Sequence, residues 1–313
     1  MGLWTIAGIG AAAVFLLMWL TAWILSRAIT HPRVRESDAA ADEICTLMGV
    51  SRKEFEREHP VEPFELRSEY GYTLRGYVMP RRGDAPADGR ERVVIFVHGY
   101  TACSEMGWKY ADIFLRRGFV CVFYDHRNHG RSDRRATTMG RLESDDLLTV
   151  YGWARERFGA DAYIGFHGES MGASTVMLAA PRAAGLTFAI EDCGYSDLRA
   201  ELDYVCANRY HIPRIPFIAM ASLIYRADAG VFFKDVVPRD GVAKTGDLPM
   251  LFVHGEADTF VPTEMVYENY AAKETGYKQK FTVPGAGHAE SALKDPAGYD
   301  EAVGTFLAVC GVD

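Results

Sequence analysis

The hydrophobic pattern opens with residues 3–26, a run that holds no charged side chain. Wound as a helix it rises about 36 Å, enough to cross a hydrocarbon core of roughly 30 Å, so residues 1–26 are expected to form a single-pass membrane anchor. A cleaved signal peptide competes with that reading. The run is longer than the usual apolar core of such a peptide, no Lys or Arg precedes it, and no small-x-small cleavage site follows; the anchor is the better account. Arg27, Arg33 and Arg35 come after it, and by the positive-inside rule this bias favours the cytosolic side for everything downstream.

Residues 27–60 are charged, with Ile44, Leu47, Met48 and Val50 set between polar positions, which predicts a helical connector packed beside the next domain. Extended runs at 64–70 and 72–79 flank Gly71 and predict an antiparallel hairpin. The stretch 81–90, rich in Gly, Pro, Asp and Ala, predicts a surface loop. Beyond it, apolar runs at 93–97, 120–124, 162–166, 186–190, 250–253 and 280–283 alternate with helix-length segments. They lack polar alternation, as strands do when helices cover both faces of a parallel sheet. The expected fold class is therefore α/β, a mostly parallel, doubly wound sheet within a domain at 61–313. The connection 196–247 is too long for a plain loop and holds Pro213, Pro216 and an apolar stretch at 215–225; it predicts a small helical lid.

Net charge of -8 argues against a nucleic-acid partner, because neutralising phosphates takes clustered Lys and Arg. The one dense basic stretch, Arg127, Arg131, Arg134, Arg135 and Arg141, shares its loop with Asp125 and Asp133 and is expected to be a solvated face. The six cysteines (Cys45, Cys103, Cys121, Cys193, Cys206, Cys310) are scattered, with no Cys-x-x-Cys and no Cys/His cluster at zinc-ligand spacing, so no structural metal is expected. Cys121, inside an apolar run, is expected as a small buried hydrophobe.

Candidate chemistry starts at Gly168-Glu169-Ser170-Met171-Gly172, which lies between the run 162–166 and a helix-like segment at 173–180. A strand, tight turn and helix form the context in which Gly-x-Ser-x-Gly is informative. The turn exposes the hydroxyl, and the positions two before and two after must lack bulk. Ser170 is the expected nucleophile. Its hydroxyl needs a base, and among the nine histidines His288 occupies a Gly-rich loop after the last strand-like run. His98, His167 and His254, at strand ends, read as structural, as do His126 and His129. The acid that orients the base should follow the preceding strand, where Glu256 and Asp258 stand. Asp258 is chosen because it lies farther into the loop and keeps the order Ser, Asp, His; Asp192 is the alternative. The backbone N–H groups of Tyr100 and Met171 are the expected oxyanion donors. Tyr195 and Phe260, with the lid residues Phe217, Leu223, Phe232 and Phe233, are expected to line an apolar acyl pocket. Every one of the catalytic elements follows Tyr72, so a chain starting near Arg35 is expected to be soluble and active.

The ordered set His98-Gly99-Tyr100, Asp125-His126-Arg127-Asn128-His129-Gly130-Arg131-Ser132, Gly168-Glu169-Ser170-Met171-Gly172, Asp258 and His288 resembles the α/β-hydrolase superfamily over residues 61–313. Within it the chain is most similar to bacterial membrane-anchored hydrolases related to the serine aminopeptidase and bud-emergence-protein-like groups. Glu191-Asp192-Cys193-Gly194-Tyr195-Ser196 is similar to the same branch. Asn128 departs from the pattern, since many members carry glycine there. The resemblance implies cleavage of an ester, thioester or amide in a small acyl substrate, through an acyl-enzyme and without metal or cofactor. Serine at position 170 argues against dehalogenase chemistry, which would use aspartate there. An acyltransferase using the same three residues, and a catalytically silent membrane scaffold, stand as alternatives.

Overall fold

The computed structural model describes residues 2–84, 86 and 88–312. Met1 and Asp313, the outer ends of the expected anchor and catalytic segments, and Ala85 and Ala87 of the expected surface loop lie outside the described residues. Helix α1 (Leu3–Thr30) continues four residues past the expected end of the span at Ser26. The difference has a physical reason. Ala22, Ser26 and Thr30, one turn apart on a single face, are buried against protein, so the last two turns belong to a packed interface.

Helices α2 (Ser37–Met48) and α3 (Arg52–Glu58) form the connector. Ala41, Ile44 and Phe55 are buried in one cluster with Trp108 and Phe114, so the connector is part of the layer that covers the sheet. The hairpin β1 (Glu62–Arg67) and β2 (Thr73–Met79) reverses through Gly71, whose φ of +82° suits a residue without Cβ. The chain then runs β3 (Arg92–Val97), α4 (Trp108–Leu115), β4 (Val120–Tyr124), α5 (Glu143–Phe158), β5 (Tyr163–Glu169), α6 (Met171–Ala179) and β6 (Phe188–Asp192). After it come α7 (Leu198–Asn208), α8 (Arg214–Ala229), α9 (Pro238–Val242), β7 (Met250–Gly255), α10 (Glu264–Ala272), β8 (Lys278–Val283), α11 (Ser291–Lys294) and α12 (Pro296–Val309).

The eight strands order as β1-β2-β4-β3-β5-β6-β7-β8. Strands β3 to β8 pair in parallel, while β2 meets both β1 and β4 antiparallel. Strand β3 explains the absence of polar alternation. Val94 and Phe96 point into a cluster with Phe114 and Phe306, whereas Val93, Ile95 and Val97 point into the opposite one with Leu147 and Phe166. Both faces are covered, so both sets must be apolar.

Helices α7, α8 and α9 occupy the expected lid. Ile218, Ala221, Tyr225 and Ala229 make the buried stripe of α8, in one cluster with Ala22 of α1 and with Met171. At the lower end of this interface a single carboxylate collects three groups: Asp228 Oδ2 lies 2.8 Å from Thr30 Oγ1, 2.9 Å from His31 Nε2 and 3.2 Å from Arg27 Nη1. The loop after β3 joins in, for the Tyr100 hydroxyl donates to the Ala28 carbonyl. Asn128 takes the left-handed φ of +66° that glycine would adopt, and its Nδ2 lies 3.4 Å from the Thr30 carbonyl oxygen. The departure from glycine thus adds a contact to α1 at a conformation asparagine tolerates.

The basic loop corrects its expectation. Arg127 is buried, its Nε 2.8 Å from Asp146 Oδ2, with Tyr70 and Tyr72 rings each 5.0 Å from the guanidinium. A buried arginine needs such a partner, because an unpaired charge in a dry interior is costly. Of the remaining arginines, Arg131 pairs with Glu105 and Arg141 with Asp145. Cys121 is buried as expected.

Candidate active site

Ser170 sits between β5 and α6 with φ +56° and ψ -118°, a conformation L residues rarely adopt. Two glycines make the turn sterically feasible. A Cβ on Gly168 would stand 2.4 Å from the Gly172 carbonyl oxygen, and a Cβ on Gly172 only 1.9 Å from the Val97 carbonyl oxygen. Gly99 also lets the loop after β3 approach, since its Cβ would lie 3.3 Å from that of Ser170.

Strands β7 and β8 end beside this turn. His288 Nε2 is 2.9 Å from Ser170 Oγ, and His288 Nδ1 is 2.7 Å from Asp258 Oδ2. The other oxygen, Oδ1, accepts the backbone N–H groups of Phe260 at 2.8 Å and Val261 at 2.9 Å. Burial pushes the Asp258 carboxyl up, but the hydrogen bonds to His254 and His288 outweigh it and hold the group well below the usual carboxylate range. It stays ionised. Asp192, the alternative acid, meets the Tyr110 and Tyr299 hydroxyls at 3.1 and 3.0 Å and does not contact His288 among the described residues. Burial raises its carboxyl above the usual carboxylate range.

Tyr100 and Met171 flank the serine on separate segments, and neither backbone N–H meets a protein acceptor among the described residues. Two such unpaired donors on either side of the serine suit a developing oxyanion. His98 holds the loop that carries Tyr100: its Nε2 accepts the His126 N–H at 3.0 Å, so its Nδ1–H donates to the Gly99 carbonyl at 2.8 Å. Burial lowers the His98 pKa to about 4, keeping the ring neutral for both bonds. His167 bonds the Tyr299 hydroxyl at 2.8 Å.

A cleft of about 600 Å³ opens over Ser170 and His288. Phe260 lines it, with its ring 5.0 Å from that of His288. Tyr195 does not. It is buried beneath the lid, with its hydroxyl donating to the Met139 carbonyl at 2.7 Å. None of Phe217, Leu223, Phe232 and Phe233 lines the cleft either; its walls include Arg35, Glu43 and Leu47 of the connector region, Arg209 after α7, and Lys294 of α11. The connector wall had no signal in the sequence. His254, read as structural, stands 3.3 Å from Asp258 Oδ2, and its position four residues before the acid was the available clue.

Cys193, Asp258 and His288 each offer a ligand atom within 4.8 Å of the others. The set fits a metal poorly. Asp258 and His288 are already bonded to each other, and burial pushes the Cys193 thiol well above its usual range, so no thiolate is on offer.

A mostly parallel sheet of eight strands, a serine on a strained strand-to-helix turn, and a histidine and aspartate delivered by the last two strands define an α/β-hydrolase. A model of the alpha/beta hydrolase fold matches residues 92–185. The chain belongs to this superfamily, and the uncharacterized protein YqkD of Bacillus subtilis is 32% identical to it over 249 residues, 78% of either chain. Among solved structures, the esterase Pf2001 of Pyrococcus furiosus superposes with a TM-score of 0.65 at 21% identity, covering 83% of this chain and 95% of its own. Est1E from Butyrivibrio proteoclasticus, solved with ferulic acid bound, does so with 0.58 at 20% identity, over 80% of this chain and 100% of its own.

Proposed function

We propose that the chain is a membrane-anchored serine hydrolase that cleaves a carboxylic ester. The observation that carries this reading is the unbroken line from Ser170 Oγ through His288 to Asp258, at 2.9 and 2.7 Å, beneath two unengaged backbone N–H groups. Ser170 Oγ attacks the carbonyl carbon as its proton passes to Nε2 of His288. Asp258 stabilises the imidazolium, and the N–H groups of Tyr100 and Met171 hold the oxyanion. Collapse breaks the acyl C–O bond, and the leaving alkoxide takes the proton from His288. Water then repeats the sequence on the acyl-enzyme and frees the acid.

Helix α1 supplies the anchor in this reading: an 18-residue window within Trp4–Thr30 has mean hydropathy 2.1 with little of it buried. Arg27 in the last turn of the helix and Arg33 and Arg35 after it favour a cytosolic catalytic domain. The direct test is a fluorophosphonate probe on the full chain. Labelling of wild type but not of Ser170→Ala supports the nucleophile; a folded wild type that stays unlabelled and cleaves no ester overturns the proposal.

A further inference from the structure

Helix α1 has two surroundings. From Trp4, 89% exposed, through Leu20 its described side chains face outward, while the turns from Ala22 to Thr30 pack on α8 of the lid. Residues 4–20 rise about 25 Å, close to the roughly 30 Å of a hydrocarbon core. If α1 spans a bilayer with its exposed part, the membrane surface falls where α1 meets the lid. The two are held in register there by Asp228, which binds Arg27, Thr30 and His31 at once.

The lid that packs on α1 exposes large apolar side chains: Tyr210 is 57% exposed, Ile215 80% and Leu223 56%. Exposed apolar side chains on a lid packed against a membrane-crossing helix suit contact with lipid. The lid also borders the cleft over the nucleophile through Arg209. Arg209, adjacent to Tyr210, lines the Ser170 cleft with its guanidinium 5.5 Å from the Phe260 ring, and Leu47, itself exposed, lines the same cleft.

We propose that the lid edge formed by Tyr210, Ile215 and Leu223 is seated in the surface of the bilayer that α1 crosses, and that the substrate is a long-chain acyl ester drawn from that bilayer into the cleft past Arg209 and Leu47. This rests on the serine-hydrolase reading above. The anchor is then more than a tether: it sets the height of the lid, and through the Tyr100–Ala28 bond it also steadies the loop of one oxyanion donor.

The test uses the full chain in phosphatidylcholine–phosphatidylglycerol vesicles with two fluorogenic esters, soluble 4-methylumbelliferyl butyrate and 4-methylumbelliferyl palmitate dissolved in the bilayer. Ile215→Asp combined with Leu223→Asp is expected to lower palmitate turnover about 10-fold, because charged groups resist insertion, and to leave butyrate turnover unchanged. No effect of the aspartates on either ester, or a wild type that cleaves butyrate but not palmitate, would overturn the inference. If the aspartates depress both rates, Ile215→Gln with Leu223→Gln decides: a palmitate-to-butyrate ratio equal to wild type refutes it, and a lowered ratio supports it. Wild type that cleaves neither ester and takes no fluorophosphonate refutes the hydrolase reading itself, a result distinct from the loss of palmitate turnover alone.

Discussion

His254 and His288 meet the same oxygen of Asp258: Oδ2 lies 3.3 Å from Nε2 of His254 and 2.7 Å from Nδ1 of His288. With two backbone N–H groups on Oδ1, the carboxylate is held from every side and has one orientation in which to face His288.

Asp258→Asn keeps the shape of the side chain but offers His288 a different hydrogen-bond partner. By analogy with the serine-protease triad, kcat should fall by as much as about 10⁴-fold, while Asp192→Asn should cost far less. Steady-state kinetics on both variants, with circular dichroism to establish folding, checks this. A crippled Asp192→Asn beside a nearly normal Asp258→Asn would move the acid to β6.

Removing His254, whose Nε2–H donates to the Val261 carbonyl at 3.0 Å and lies 3.3 Å from Asp258 Oδ2, takes a positive-leaning partner from Asp258 without touching Ser170 or His288. A hydrogen bond to a charged group is worth about 1.5–3 kcal/mol, so His254→Ala should lower kcat roughly 10-fold or more while KM stays near wild type. An unchanged kcat would show that Phe260, Val261 and His288 suffice to orient the carboxylate.

Two buried glutamates make stability depend on pH. Burial pushes Glu191 and Glu201 each up to about 8 from an ordinary 4.5. The folded protein then keeps protons that the unfolded chain has released, so stability falls as pH rises between about 4.5 and 8. Above pH 7, where buried histidines such as His98 are neutral in the folded and unfolded chain alike, thermal unfolding of wild type should show a lower Tm at pH 8 than at pH 7. Glu191→Gln with Glu201→Gln should flatten that slope, and a wild-type slope in the double variant would place its origin elsewhere.

Truncation separates the two parts of α1. A chain beginning at residue 21 keeps Ala22, Ser26 and Thr30 on the lid and should be soluble, folded and active on short esters. One beginning at Arg35 loses that face and all three partners of Asp228. It should be destabilised by at least about 3 kcal/mol, read by denaturant unfolding, contrary to the expectation from sequence that it suffices. Equal stability of the two would show that the interface contributes nothing.

What the sequence made legible was local. The turn at Ser170 announces itself because only glycine fits at positions 168 and 172, and the loops holding Asp258 and His288 follow apolar runs that had to be strands. What stayed hidden depended on segments far apart in the chain. Arg127 looks like any loop arginine until Asp146, on a different element, comes beneath it. Tyr195 sits in a suggestive string but turns away to Met139. Ala22, Ser26 and Thr30 are small enough to face lipid or protein alike, and only the lid decides which.

The bare Cα of Gly172 governs how the site moves. With no side chain between them, the first turn of α6 and the end of β3 touch backbone to backbone, so the segments bearing the Met171 and Tyr100 N–H groups are packed directly on one another. A pair of donors locked in that way does not have to be gathered when substrate arrives, and no ordering entropy is lost at each turnover. Warming should therefore loosen the lid well before it blurs the two donors: stillness belongs to the sheet, and whatever breathing the enzyme needs to admit and release its substrate falls to the helices above it.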